Sequence, residues 1–116
     1  MKNLKLLLLA AFLFCGLTSQ AQRIGDGVVV AHFNADWNKA NAVTWLEDLE
    51  DCNVIKVDIV ENPKLQKKHK IVVVPTIILF KDGEEIERWQ ANVSFAIEEE
   101  SKDIQKEVDA ANLSDF

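Results

Sequence analysis

The chain has 116 residues, with 13 basic and 19 acidic side chains and a net charge of −6. An acidic balance of that size disfavours nucleic acid and anionic membrane surfaces as partners. With two cysteines in the whole sequence, a disulfide-stapled scaffold is excluded as well, so the fold must stand on one apolar core.

Residues 1–21 read as a secretory signal peptide. Lys2 and Lys5 precede an apolar run from Leu6 to Leu17, and Ser19-Gln20-Ala21 is a small-x-small cleavage site. The run is short for a bilayer span, which argues against a retained anchor. Phe14 before Cys15 is bulky for a lipoprotein site. The expected mature domain, 22–116, keeps 11 basic against 19 acidic side chains and only Cys52. It is expected to be exported, periplasmic or secreted, with no membrane insertion once the leader is removed.

Val28 to Phe33 (VVVAHF) is a nearly continuous apolar run, the pattern of a strand buried on both faces. From Asn38 the period changes. Ala42, Trp45, Leu46 and Leu49 fall at i, i+3, i+4, i+7, which predicts an amphipathic helix with Asn38 at its cap. Cys52 continues that stripe and is expected to be a buried, inert thiol. The other reading, an exposed thiol forming intermolecular disulfides, lacks a flanking basic residue to lower its pKa.

Val54, Ile55, Val57 and Ile59 make a second apolar strand. Asn62-Pro63 then suits the cap and first position of a short basic helix, from Lys64 to about Lys70. Its run of Lys64, Lys67, Lys68, His69 and Lys70 reads as a solvated face, with Leu65 and His69 turned inward at i,i+4. VVVPTIILF predicts another buried strand. Asp82-Gly83 is a two-residue hairpin signal into Glu84–Gln90. There Trp89 and Ile86 differ in parity and should cover opposite faces, and Trp45 and Trp89 are expected to pack. Ser94 should cap a final helix carrying Ile97, Ile104, Val108 and Ala111, with Glu98 and Lys102 paired at i,i+4 on its wet face.

The order β-α-β-α-β-β-α predicts an α/β domain. Two crossover helices imply parallel strands, and the hairpin adds an antiparallel one. A mixed four-stranded sheet flanked by helices on both faces follows. Pro75 conflicts with an unbroken strand unless it stands at the strand's first residue, and a cis Val74–Pro75 bond is one way to place it there.

VVVAHFNADW, KVDIVENP and VVVPTIILFKDGEE, in that order and spacing, resemble the thioredoxin family from Val28 to about Leu113. The family's usual N-terminal strand and helix are missing from the match. The resemblance implies a thioredoxin-like fold and a cis proline at Pro75. It also implies a redox motif, Cys-x-x-Cys, directly after Trp37. This chain has Asn38-Lys39-Ala40-Asn41 there. An amide is no nucleophile at neutral pH and cannot store electrons as a disulfide. His32 stands where the family often has a buried aspartate, and Lys56 matches its usual lysine neighbour. A packed, hydrogen-bonded and neutral histidine is expected, not a catalytic one.

The expectation is therefore an exported domain without thiol–disulfide oxidoreductase activity, not an enzyme, with a degenerate redox site at Asn38 and Asn41. Its function would be non-covalent binding of a protein or extended peptide in the groove formed by Trp37, Asn38, Val74, Pro75 and Thr76, by strand-like pairing that needs no sulfur. Two alternatives stand beside it: a weak thiol-dependent redox partner acting through Cys52, and a structural subunit of an envelope assembly. No cofactor is implied. His32 and His69 are the only histidines, without metal-ligand spacing.

Overall fold

The computed structural model describes residues 24–113. The leader read at 1–21 lies outside them. Among the described residues, no helix is long and apolar enough to cross a membrane.

The observed order is β1 (Val28–Asn34), two 3-10 turns (Asp36–Asn41 and Leu46–Asp48), β2 (Asn53–Asp58), α1 (Pro63–Lys68), β3 (Thr76–Lys81), β4 (Glu84–Gln90) and α2 (Ser101–Leu113). The strands form one mixed sheet in the order β2-β1-β3-β4. Every residue of β1 is buried, as a central strand covered on both faces requires. Even positions Val28 and Val30 join Ile77, Leu79, Leu46, Leu49 and the α2 residues Ile104, Val108 and Ala111 in one apolar layer. Odd positions Val29, Ala31 and Phe33 join Val57, Ile71, Val74, Ile78 and Phe80 in the other.

The predicted parallel arrangement holds for β1 and β2 only. β3 runs antiparallel to β1, with Phe33 opposite Thr76. Helix α1 has six residues, a length of about 9 Å. It cannot return the chain along β1, whose seven residues extend about 23 Å. The chain therefore starts β3 at the end of the sheet where β2 finished. The cis Val74–Pro75 bond stands directly before the first residue of β3.

The helix predicted from Asn38 onward is absent. In an α-helix the Val43 N–H would bond the Lys39 carbonyl. Here that carbonyl takes the Ala42 N–H, and Val43 N–H donates to His32 Nε2 at 3.3 Å. The β-branched pair Val43-Thr44 adds its own resistance to a helix. Asn38 therefore caps nothing; it lies inside the first 3-10 turn with φ −113 and ψ 18. Cys52 is consequently not on a helical stripe. It is half-buried, against the first apolar layer just before β2.

Ser94 does not open the last helix either. Asn92 Oδ1 accepts the N–H groups of Ser94 and Ala96, and Phe95 takes a left-handed φ of 63, so a turn forms instead. Helix α2 begins at Ser101, where Asp103 Oδ2 accepts the Glu100 N–H in the manner of a capping box. Glu98 accepts from Asn92 Nδ2, and Lys102 lies 3.7 Å from Glu100, so the predicted Glu98–Lys102 pair is not made.

The Asp82-Gly83 hairpin forms as predicted, both residues having positive φ, 50 and 87. The pairing shifts from Leu79–Glu87 to Phe80–Glu85, leaving Ile86 in a bulge and 48% exposed. Trp89 packs on the first layer, so Ile86 does not cover the second as its parity suggested. Asn62 precedes Pro63 at the start of α1, but its amide donates to the Asp58 carbonyl and not into the helix.

Candidate functional site

The first 3-10 turn hangs from the end of β1 and meets the chain entering β3. Asn38 is its one buried residue. Its Nδ2 donates to Asn34 Oδ1 at 3.1 Å and to the Val74 carbonyl at 3.3 Å. Its Oδ1 accepts from Asn41 Nδ2 at 2.9 Å, and its carbonyl accepts from Asn34 Nδ2 at 3.3 Å. Three asparagines and the residue before the cis proline thus form one closed network. An amide suits this place because it donates and accepts at once.

The structure therefore brings together Asn38, Asn41 and Val74 as the sequence suggests. Val74, Pro75 and Thr76 are buried, and the Thr76 hydroxyl donates to the Val73 carbonyl at 2.7 Å. Trp37 is placed oppositely, 65% exposed. Its ring meets Phe95 edge-on, with centroids 5.9 Å apart and planes at 87°. Phe95 is itself 46% exposed, and neighbouring Val93 is almost wholly so.

Two members of this site escape sequence reasoning. Asn34 ends a strand whose apolar run hides its role, although an amide four residues before another is a usable signal. Phe95 falls within a predicted helix that does not form, and nothing local points to Trp37.

His32 is buried on β1, beside Lys56 of β2 in register. Burial, reinforced by the Lys56 charge, lowers its pKa from 6.5 to about 4. It is the neutral, hydrogen-bonded histidine expected. Lys56 pairs at the surface with Glu47, whose carboxyl is held below its usual range by that contact. His69 packs against Phe33 and Phe80, at 5.6 and 5.2 Å between centroids, and Leu65 joins the same layer.

Cys52 lies far from the asparagines. The residue after it, Asn53, pairs with Val29 at the entry end of β1, whereas Asn38 follows the exit end. The separation along the sheet is on the order of 15–20 Å. Burial, with Asp51 and Asp109 nearby, raises its pKa and disfavours the thiolate. Among the described residues, no group of three or more His, Cys, Asp or Glu side chains is placed to hold a metal.

The thioredoxin family profile matches residues 20–103. The chain belongs to the thioredoxin family. As a thioredoxin-family chain it is 34% identical over 74 residues to the thioredoxin of Chlamydia trachomatis, covering 59% of this chain and 72% of that protein. A second thioredoxin, from Staphylococcus saprophyticus, is 42% identical over only 36 residues, 35% of its length. Among solved structures, a mutant thioredoxin from Halobacterium salinarum superposes with a TM-score of 0.57 at 28% identity. That match covers 74% of this chain and 75% of the other. The oxidised mitochondrial thioredoxin 3 of Saccharomyces cerevisiae, at 20% identity and a TM-score of 0.52, shares the fold.

Proposed function

We propose that this thioredoxin-family domain acts after export, without thiol–disulfide exchange, as a module that binds a protein segment non-covalently on the face around Trp37. The observation that carries this reading is the exposed Trp37–Phe95 pair, with Trp37 next in the chain to Asn38, whose amide is committed to Asn34, Asn41 and Val74. A disulfide enzyme needs a thiolate where the chain turns after Trp37, and Asn38 and Asn41 offer none. Cys52 sits at the opposite end of β1 with its thiolate disfavoured, which speaks against it as a substitute.

The aromatic pair is suited to recognition. Trp is enriched at binding hot spots, and an edge-on neighbour holds its ring in place at little entropic cost. Asn38 serves from beneath by fixing the Val74 carbonyl and the turn that presents Trp37. The envelope-subunit reading has no comparable observation in its favour.

The test is capture of partners from an envelope extract by the immobilised chain from residue 22 onward, beside Trp37→Ala and Phe95→Ala. A specific partner should be retained without reductant sensitivity, and each variant should lose about 30-fold in affinity, the scale of a hot-spot truncation. A partner held equally by both variants, or released by dithiothreitol, would overturn the proposal.

A further inference from the structure

An open cleft of about 270 Å³ lies beside the exit ends of β1 and β2, on the flank of the first 3-10 turn, and His32 is among the residues that line it. His32 keeps only 4% of its surface open. Because Nε2 accepts the Val43 N–H, the neutral ring carries its proton on Nδ1. No hydrogen bond among the described residues engages Nδ1. Nor is it sealed: of the buried side-chain nitrogens and oxygens in those residues, only His69 Nε2 is both closed off and without a partner. The Nδ1–H is thus an unspent donor on a buried residue that lines the cleft.

The walls carry both signs of charge. Lys56 is tied to Glu47, which leaves Lys39 as the cleft's ammonium without an ion pair among the described residues. Asp36 stands beside it on the same turn. Asp58 uses Oδ1 to hold the Val60 and Glu61 N–H groups, at 2.8 and 3.3 Å, and these bonds leave Oδ2 uncommitted. A purely anionic guest would meet two carboxylates, and a purely cationic one would leave the histidine donor unanswered. The volume falls below the usual range for drug-sized ligands, about 300–1,000 Å³.

We infer that this cleft is a binding site for a small α-amino-acid zwitterion, its carboxylate accepting from His32 Nδ1–H and Lys39 and its ammonium facing Asp36 and Asp58. The site shares no residue with the Trp37–Phe95 pair, so either can fail without the other. Lowered to about 4, the His32 pKa leaves the ring neutral, and Nδ1–H available with the Val43 bond intact, throughout the neutral range.

The experiment is ¹⁵N NMR of the His32 imidazole in the chain from residue 22, titrated separately with L-alanine, acetate and methylammonium. L-alanine should move the Nδ1 resonance saturably in the millimolar range and leave Nε2 nearly unmoved. Acetate and methylammonium should each bind at least about tenfold more weakly, because each satisfies one end of the site. Lys39→Ala and Asp36→Ala, both at exposed positions, should each raise the L-alanine dissociation constant about tenfold. No saturable shift, a shift unaffected by both substitutions, or acetate matching L-alanine would overturn the assignment.

Discussion

Asn38→Ala is expected to destabilise the domain by about 2–4 kcal/mol, one of the largest effects of any single change outside the apolar core. The substitution removes the donor that satisfies Asn34 Oδ1 and the Val74 carbonyl, and the acceptor that holds Asn41. Buried acceptors left unpaired cost more than the bonds themselves contribute, which is why the loss exceeds that of an ordinary surface hydrogen bond. In a domain of this size the midpoint of thermal unfolding should drop by on the order of 15 °C. Asn41→Ala removes one bond at an exposed position and should cost under about 1 kcal/mol. Calorimetry on the two variants checks the contrast. Equal, small losses would mean that the network is incidental.

The second large effect is a pH dependence written by His32. Its folded pKa lies near 4, below the ordinary value of 6.5. Above pH 6.5 the ring is neutral in both the folded and the unfolded chain, and its contribution is fully present. As pH falls from 6.5 toward 4, the unfolded chain binds a proton that the folded one refuses, so stability declines. Below about 4 both forms are protonated and this decline ends. The full span corresponds to about 3 kcal/mol. Glu47, held low by Lys56, and Glu85, held low by Arg88, lose their contributions in the same direction, but only through the carboxylate range. The difference between wild type and His32→Phe isolates the histidine. Urea midpoints measured from pH 7.5 to 4 should fall steeply for the wild type and less steeply for the variant. Parallel curves would contradict a buried neutral His32.

The physics of the central strands is legible in the sequence. β1 and β3 announce themselves as continuous apolar runs because both their faces are buried. Asp82-Gly83 announces the hairpin because few residues tolerate two positive φ angles in succession. The 35–49 segment is not legible. Its apolar spacing is that of a helix, yet Leu46 and Leu49 reach the core from a chain tied down by a side chain of β1. Periodicity records which residues are buried, and says nothing of a distant imidazole taking the N–H that a helix would use. The same applies to Phe95, whose meeting with Trp37 depends on a turn built by the Asn92 side chain. The direction of β3 escapes the pattern because periodicity gives a helix its place, and α1 is too short to act as a full crossover.

In the site, the replacement of both motif positions by asparagine is plain from the sequence. What the amides do is not. The sequence suggests amides facing a ligand. Instead Asn38 turns inward to Asn34 and Val74, and the exposed side chains beside it are the aromatic pair Trp37 and Phe95.

The most direct test of a thioredoxin-family domain working without sulfur chemistry is its turnover in insulin-disulfide reduction with dithiothreitol, measured beside Cys52→Ser. Both proteins should show a rate indistinguishable from the protein-free blank, with Trp37 and its asparagine network intact. Turnover above the blank by the wild type, abolished by Cys52→Ser, would return the protein to the thiol enzymes and contradict the reading given to Asn38 and Asn41.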